Sequence, residues 1–233
     1  MIKHLALLSL LILIADNILA QGRVRQGKVL FRQCILCHGE NAQGDITLGA
    51  PALVNQDAWY LERQLANIAA GVRSEDPSDF FGKRMSPNAK ALKGQQARED
   101  VVAYIKSLPP TKTRGLIKGN AEKGHEYYQM ICGACHGPNA MGNKILNAPR
   151  LVGINDLYLK RQYLNFKDGI RGAHVNDKFG AQMAFIAQKL QGKNIAADVA
   201  VYIHSLQDQA ENQNKKHAFS SIPSRNLFAA AVT

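Results

Sequence analysis

One five-residue pattern occurs twice and constrains the fold more than any other feature of the chain. It is Cys34-Ile35-Leu36-Cys37-His38 in the first half and Cys132-Gly133-Ala134-Cys135-His136 in the second. Two thiols at this spacing lie on one side of a helical turn, where both can add to the vinyl groups of one porphyrin. The histidine that follows then lies under the iron. The pattern predicts two covalently bound haem c groups.

The residues predicted to hold these groups fall into two classes. The attachment sites are Cys34, Cys37, Cys132 and Cys135, and the proximal iron ligands are His38 and His136. Zinc and dithiol chemistry are the alternatives. A structural zinc site usually takes both cysteine pairs from one small module, whereas these pairs are 98 residues apart. A dithiol site of the thioredoxin kind is typical of alternating strands and helices, which the sequence does not show.

The two halves of the chain are copies of one domain. Shifted by 98 residues, they align without a gap from Cys34 to Leu108. A repeat of this kind indicates one structural unit used twice. We therefore predict domains at 21–108 and 121–207, joined by a linker at 109–120 and followed by a flexible tail at 208–233.

Each domain is predicted to be all-α, with a few helices wrapped around one haem. Val101, Tyr104, Ile105 and Leu108 follow the i, i+3, i+4, i+7 spacing of one buried helical face. The predicted helices are 23–37, 58–70 and 94–107 in the first domain, and 121–135, 156–167 and 194–206 in the second. Asp57 and Asn155 are expected to cap the middle helices, and Gly-rich loops fill the rest.

The sixth iron position decides between electron transfer and ligand chemistry. Met85 and Met183 each follow the motif histidine by 47 residues, in segments predicted as loops. A thioether suits ferrous iron and raises its reduction potential, so both are predicted distal ligands. Met130 and Met141 are expected to be packing residues. His174 is a rival ligand, although its repeat partner is an aspartate.

Other repeated residues are expected to surround the haem. Pro51 and Pro149 are placed to support the proximal imidazole, and Leu53 and Leu151 to contact the porphyrin. Arg73 and Arg171 are candidates for charge-assisted hydrogen bonds to the propionates.

The N-terminal segment and the charge predict where the protein acts. Met1–Ala20 has one early lysine, an apolar run and a small residue at its end, which is typical of a secretory signal peptide; an uncleaved anchor is the alternative. Export predicts a periplasmic location. The formal charge of +11 favours redox partners with an acidic docking surface. Nucleic acid is not expected, because no basic cluster with interleaved aromatics is present.

Together these motifs resemble the dihaem cytochrome c4 family. The resemblance rests on the two Cys-x-x-Cys-His-Gly motifs, the Pro-x-Leu after each, the Tyr-Leu-x-Arg-Gln helices, the Gly-x-Arg loops and the two methionines, over residues 23–207. It implies two class I cytochrome c domains related by a pseudo-two-fold axis, in periplasmic carriers that are soluble or loosely membrane-associated and often serve terminal oxidases. One departure is that Phe31 lies one residue nearer its cysteine than Tyr128 does, which suggests a local difference in domain one.

The expected function is therefore transfer of single electrons between respiratory redox partners, towards a terminal oxidase, without catalysis by the chain itself. The alternative is a dihaem electron-accepting subunit of an oxidoreductase, such as a flavocytochrome sulfide dehydrogenase. A dihaem enzyme is a third class. A peroxidase needs an open iron, and a thiosulfate dehydrogenase uses a cysteine as upper ligand, whereas all four cysteines here are assigned to haem attachment.

Overall fold

A computed structural model describes the backbone of residues 19–220 and the side chains of residues 19–207. Residues 1–18 of the predicted signal peptide and residues 221–233 of the predicted tail lie outside this range. Within residues 19–220 the regular elements are helical, apart from the isolated bridges Asp45–Ala50 and Asn143–Ala148. No helix in this range is both long and apolar enough to cross a bilayer.

Both domains follow the same order of helices. In the first domain these are α1 (19–31), α2 (Ile35–His38), α3 (Ala58–Ala69), α4 (Phe80–Ala91) and α5 (Gly94–Ser107). In the second they are α6 (Ala121–Tyr127), a π-helical turn (Tyr128–Cys132), α7 (Gly133–His136), α8 (Asp156–Lys167), α9 (Lys178–Lys189) and α10 (Ile195–Ser220).

The prediction missed two helices, misplaced one helix end, and joined α1 and α2 into one helix at 23–37, although a turn at 32–34 separates them. Helices α4 and α9 occupy segments that we predicted as loops, and they contain Met85 and Met183. Each begins at an aspartate whose carboxylate accepts a bond from a backbone N–H in the first turn: Asp79 from Gly82 at 3.0 Å and Asp177 from Gly180 at 2.9 Å. Such a cap stabilises a helix start despite the glycine. Helix α10 continues to Ser220, beyond its predicted end at residue 206.

The predicted caps of the middle helices are only half correct. Asn155 caps α8, because its side chain accepts from the Tyr158 N–H at 3.0 Å. Asp57 stands at the N-cap position of α3, but its side chain makes no capping bond. The Gln56 side chain instead accepts from the Asp57 N–H at 2.9 Å.

The first and last helices of each domain cross at a glycine. A Cβ atom on Gly27 of α1 would lie 1.8 Å from the Asp100 carbonyl oxygen of α5. The same contact in the second domain would be 2.0 Å, between Gly124 and the Asp198 carbonyl. Only a residue without a side chain permits this approach. The crossing fixes the direction in which the first helix leads into each Cys-x-x-Cys-His motif.

A π-helical turn explains the spacing difference between the two halves. Phe31 and Tyr128 are both fully buried, and they pack against Tyr104 and Tyr202 with ring centroids 5.3 and 5.4 Å apart. The extra residue between the aromatic ring and the cysteine is taken up by the turn Tyr128–Cys132. A π turn accommodates one more residue than an α turn. The local difference therefore lies in the second domain, not the first as we expected.

The two domains contact each other through reciprocal pairs. Arg63 donates to the side-chain and main-chain oxygens of Asn147 at 2.8 and 3.1 Å. Its repeat partner Arg161 donates to the Gly49 carbonyl at 2.5 Å, and Gly49 is the repeat partner of Asn147. Such exchange of equivalent contacts is what a pseudo-two-fold axis produces.

Candidate functional site

A cavity of about 390 Å³ extends through both domains, with walls from both copies of the repeat. All the predicted site residues line it: Cys34, Cys37, His38 and Met85 from the first domain, and Cys132, Cys135, His136 and Met183 from the second. The fold thus brings both motifs and both methionines to the wall of one cavity.

The motif histidines are held in one orientation by the same backbone contact. Nδ1 of His38 lies 3.0 Å from the Pro51 carbonyl oxygen, and Nδ1 of His136 lies 2.8 Å from that of Pro149. A carbonyl only accepts, so Nδ1 carries the proton and the Nε2 lone pair stays free for a metal. Burial lowers the pKa of both imidazoles, and the carbonyl bonds offset part of this effect. Both rings are therefore kept neutral, as iron ligation requires.

The four cysteines lie at the cavity wall. Burial raises the pKa of Cys34 to about 11, and proximity to Cys37 adds to the effect. Burial also raises the pKa of Cys132 to about 11. The position of the cysteines in turns directly before the histidine suits one porphyrin in each domain.

The methionines lie within helices, not loops. Met85 and Met183 stand at equivalent positions of α4 and α9, and both line the cavity. Pro87 lies within α4, whereas Phe185 occupies the equivalent position of α9. Helix α4 with proline and helix α9 with phenylalanine at this position are both continuous. Ligation of iron by the two thioethers stays a prediction.

The competing ligands lie elsewhere. Met130 and Met141 are 67% and 41% exposed, so our expectation that they serve as packing residues was wrong. His174 is exposed, and its Nδ1 accepts from the Asn176 N–H at 3.1 Å. None of the three lines the cavity.

Two arginines join the domains at the cavity. Arg73 donates to Gln64 of its own domain at 2.7 Å, and to Tyr158 and Gln162 of the other at 3.1 and 3.0 Å. Arg171 repeats this pattern towards its own Gln162 at 2.7 Å, and towards Tyr60 and Gln64 at 2.8 and 2.9 Å. Burial alone would raise the pKa of Tyr158, but the adjacent guanidinium groups outweigh burial and lower it.

Within the described residues, four buried polar atoms at this cavity have no hydrogen-bond partner: Arg73 Nε, Arg161 Nε, Arg171 Nε and Ser74 Oγ. Buried donors are normally satisfied, and each exception needs an explanation. All four are donors, so anionic oxygens would satisfy them. Haem carries two carboxylates beside an apolar ring, which fits both these donors and the lining residues Leu53 and Leu151.

The sequence matches the family described as Cytochrome c twice, over residues 24–109 and 121–207. The chain belongs to the cytochrome c family. As a tandem cytochrome c it carries two covalently bound haem c groups, one for each Cys-x-x-Cys-His motif.

Known relatives place this tandem cytochrome among dihaem proteins. It is 30% identical to cytochrome c4 of Azotobacter vinelandii over 197 residues, which covers 80% of this chain and 90% of the relative. The match is close and complete enough to show membership of the cytochrome c4 family. The chain is also 30% identical to the cbb3-type cytochrome c oxidase subunit FixPc of Rhizobium leguminosarum bv. viciae, covering 82% of this chain but only 64% of that subunit.

A solved structure shows the same arrangement of domains. The thiosulfate dehydrogenase (TsdBA) of Marichromatium purpuratum superposes with a TM-score of 0.64 at 26% identity, over 78% of this chain and 40% of the dehydrogenase. The two-domain fold therefore also occurs as a portion of a larger chain.

Sequence reasoning missed the side chains that connect the domains. Tyr60, Gln64 and their repeat partners were noticed only as a shared motif. The available signal was that the same polar residues are kept at the same positions of both copies, on helices whose apolar face is elsewhere. Polar residues retained in both copies of a duplicated domain are candidates for contact across the axis between them.

Proposed function

We propose that this protein is a periplasmic dihaem electron carrier that transfers single electrons between respiratory redox partners, towards a terminal oxidase. One observation carries the proposal: in each domain a neutral, oriented histidine and a methionine line the same cavity. Haem bound by two protein ligands supplies reversible one-electron exchange and offers no open position to a substrate.

The chain's own part is to hold the two centres rigidly and exclude water. Helix crossings at Gly27 and Gly124 fix the approach of each motif, and the Arg73 and Arg171 networks lock one domain against the other. Electron transfer requires little change of coordination, so a rigid frame suits the task.

The relatives support a link to oxidases. The FixPc protein is by name an oxidase subunit, and this chain spans about 64% of its length. The remaining part of that subunit has no counterpart in the match, so the link passes to this chain as a proposal. Delivery of electrons to a terminal oxidase is the direction that this relative favours.

The cavity wall differs in chemistry between the two domains, which favours two different partners. Gln33, Arg84 and Asn88 line it in the first domain, whereas their repeat partners are Ile131, Gln182 and Ile186. Directly before Ile186, Phe185 is 60% exposed, with Lys189 Nζ 5.6 Å from its ring centroid. An apolar contact bordered by lysine fits a partner face with an apolar centre and an acidic rim.

A second candidate is an electron-accepting subunit of an oxidoreductase. The observation in its favour is that the similar region of the oxidase subunit and of the thiosulfate dehydrogenase is part of a larger assembly or chain. Co-purification from native periplasm decides between the two. A stoichiometric enzymatic subunit that co-elutes with this protein supports the second candidate, and elution without one supports the carrier.

The axial ligands are tested by Met85→Ala, Met183→Ala and the double variant, with the exposed Met141→Ala as control. We expect the wild type and the control to be low-spin and unreactive to carbon monoxide. Each single variant should bind carbon monoxide at one of its two haems, and the double variant at both. Rapid binding by the wild type at both haems would refute the filled sixth positions and with them the carrier function.

A further inference from the structure

Ser74 combines a strained backbone conformation with a buried hydroxyl, and each of these destabilises the folded state unless another contact offsets it. Its backbone has φ +73°, in the left-handed region that residues with a side chain rarely adopt. It is also only 3% exposed, and its Oγ has no partner among the described residues. A buried hydroxyl without a hydrogen bond destabilises the folded state.

The second domain shows what the backbone alone requires at this place. The repeat partner of Ser74 is Gly172, which has φ +84°. The left-handed turn is therefore common to both domains, and glycine satisfies it without strain. Ala42 and Ala140, another repeat-matched pair with positive φ, are alanine in both copies, whereas Gly49 and Asn147 differ as Ser74 and Gly172 do. At residue 74 only the first domain adds a hydroxyl, so the turn itself does not explain the serine.

The surroundings point to an anionic oxygen as the missing partner. Ser74 lines the cavity directly after Arg73, whose Nε is also buried without a partner among the described residues. Asp79 lines the same cavity, and its Oδ1 accepts from the Gly82 N–H at 3.0 Å and from Asn165 at 3.5 Å, but no hydrogen bond joins its carboxylate to Ser74 Oγ. Two adjacent donors that face one cavity form a local site for a carboxylate.

We propose that the Ser74 hydroxyl donates a hydrogen bond to a propionate carboxylate of the first domain's haem, a contact that Gly172 cannot supply in the second. The proposal rests on the proposed carrier function. An anionic carboxylate close to iron favours the ferric state, and a donor that disperses its charge favours the ferrous state. Ser74 thus raises the reduction potential of the first centre relative to the second, although both have the same predicted ligands.

The test uses Ser74→Ala and Ser74→Gly in the full, haem-loaded protein. Alanine removes the hydroxyl and keeps the strained Cβ, whereas glycine removes both. The exposed residue of the same loop, Ser78→Ala, is the matched control. The readout is an optical redox titration that resolves two one-electron steps. In both Ser74 variants we expect one step to move to lower potential by up to about tenfold in its equilibrium constant, or about 59 mV, while the other step stays in place.

Three results separate the possibilities. Movement of one step in both variants, with none in the control, supports the assignment. If neither step moves, or if both move together, the hydroxyl does not act on one centre and the proposal is overturned. A wild-type protein without two reversible one-electron steps would instead overturn the carrier function itself, and the assignment with it.

Discussion

Replacing Gly27 by alanine should destabilise the first domain through one backbone clash. The new Cβ would lie 1.8 Å from the Asp100 carbonyl oxygen and 2.9 Å from Tyr104 Cβ, while ordinary van der Waals contact begins at 3.4 Å. Helices α1 and α5 would have to separate by roughly 1.5 Å, because a helical carbonyl cannot rotate away as a flexible side chain can. The separation would also loosen the packing of Phe31 on Tyr104.

The magnitude follows from two opposing effects. Overpacking of this kind lowers the free energy of unfolding by about 1–3 kcal/mol, and the upper end applies because the obstructing atom belongs to the backbone. Alanine in place of glycine within a helix returns about 0.5–1 kcal/mol. A Cβ on Gly22, in the same helix, would have no atom within 4 Å, so Gly22→Ala keeps the second effect without the first. Because the second effect is present in both variants, we expect them to differ by the clash alone, about 2–3 kcal/mol.

Urea unfolding of the haem-loaded protein, followed by far-ultraviolet circular dichroism, measures this difference. In thermal unfolding, a loss of about 2 kcal/mol should lower the Tm of a domain of this size by about 8–16 °C. Equal stability of Gly27→Ala and Gly22→Ala would refute the close helix crossing. The direction in which α1 leads into the first Cys-x-x-Cys-His motif would then need another physical cause.

Two further predictions concern the interface between the domains and the distal helices, α4 and α9, which contain Met85 and Met183. Arg171→Leu removes three hydrogen bonds of 2.7–2.9 Å to Gln162, Tyr60 and Gln64. In urea unfolding it should lower the free energy of unfolding by about 1.5–3 kcal/mol. The control Arg25→Leu, at an exposed position, should change that free energy little. Asp177→Ala removes the cap of α9 and should lower stability by about 1 kcal/mol. Because α9 contains Met183, this variant should also increase carbon monoxide binding at one haem only, and an unchanged spectrum together with unchanged stability would contradict the capping role.

The covalent motifs and the duplication were predictable because they are local or strictly periodic in the sequence. Cysteine and histidine spacing follows from porphyrin chemistry, and the shift of 98 residues is visible without any structure. Helices α3, α5 and α8 were also predicted, since each has a clear apolar face and an identifiable end. The motifs, the repeat and these three helices were enough to predict the all-α fold class and the eight predicted site residues that line the cavity.

The distal helices were missed because their sequences contain residues that normally end helices. Gly82 and Pro87 lie within α4 and suggested a loop. The capping carboxylate of Asp79 and the packing of α4 on α3 outweigh that weak local preference. An aspartate three residues before a glycine occurs in both copies, at Asp79 and Asp177. Recognised as a helix start, it would have identified both helices.

The interface lay beyond sequence reasoning for a different physical reason. Arg63 and Gln64 occupy a polar face of α3, and a polar helical face normally contacts solvent. Their partners are 84 to 107 residues away in the chain, and no periodicity within one domain reports such contacts. Only the three-dimensional arrangement shows that each polar face is covered by its own repeat partner.

The duplication makes each domain a control for the other, and the differences between copies are therefore informative. The proximal side is the same in both, with a histidine bound to the carbonyl of a proline. The copies diverge at the cavity wall, where Asn88 corresponds to Ile186, and on the turn where Ser74 corresponds to Gly172. If the chain needed only two equivalent centres, neither difference would have a physical role. Two chemically different walls beside two centres of unequal potential would instead give electrons a preferred entry and exit. The chain would then conduct in one direction between two partners, because each partner recognises a different domain.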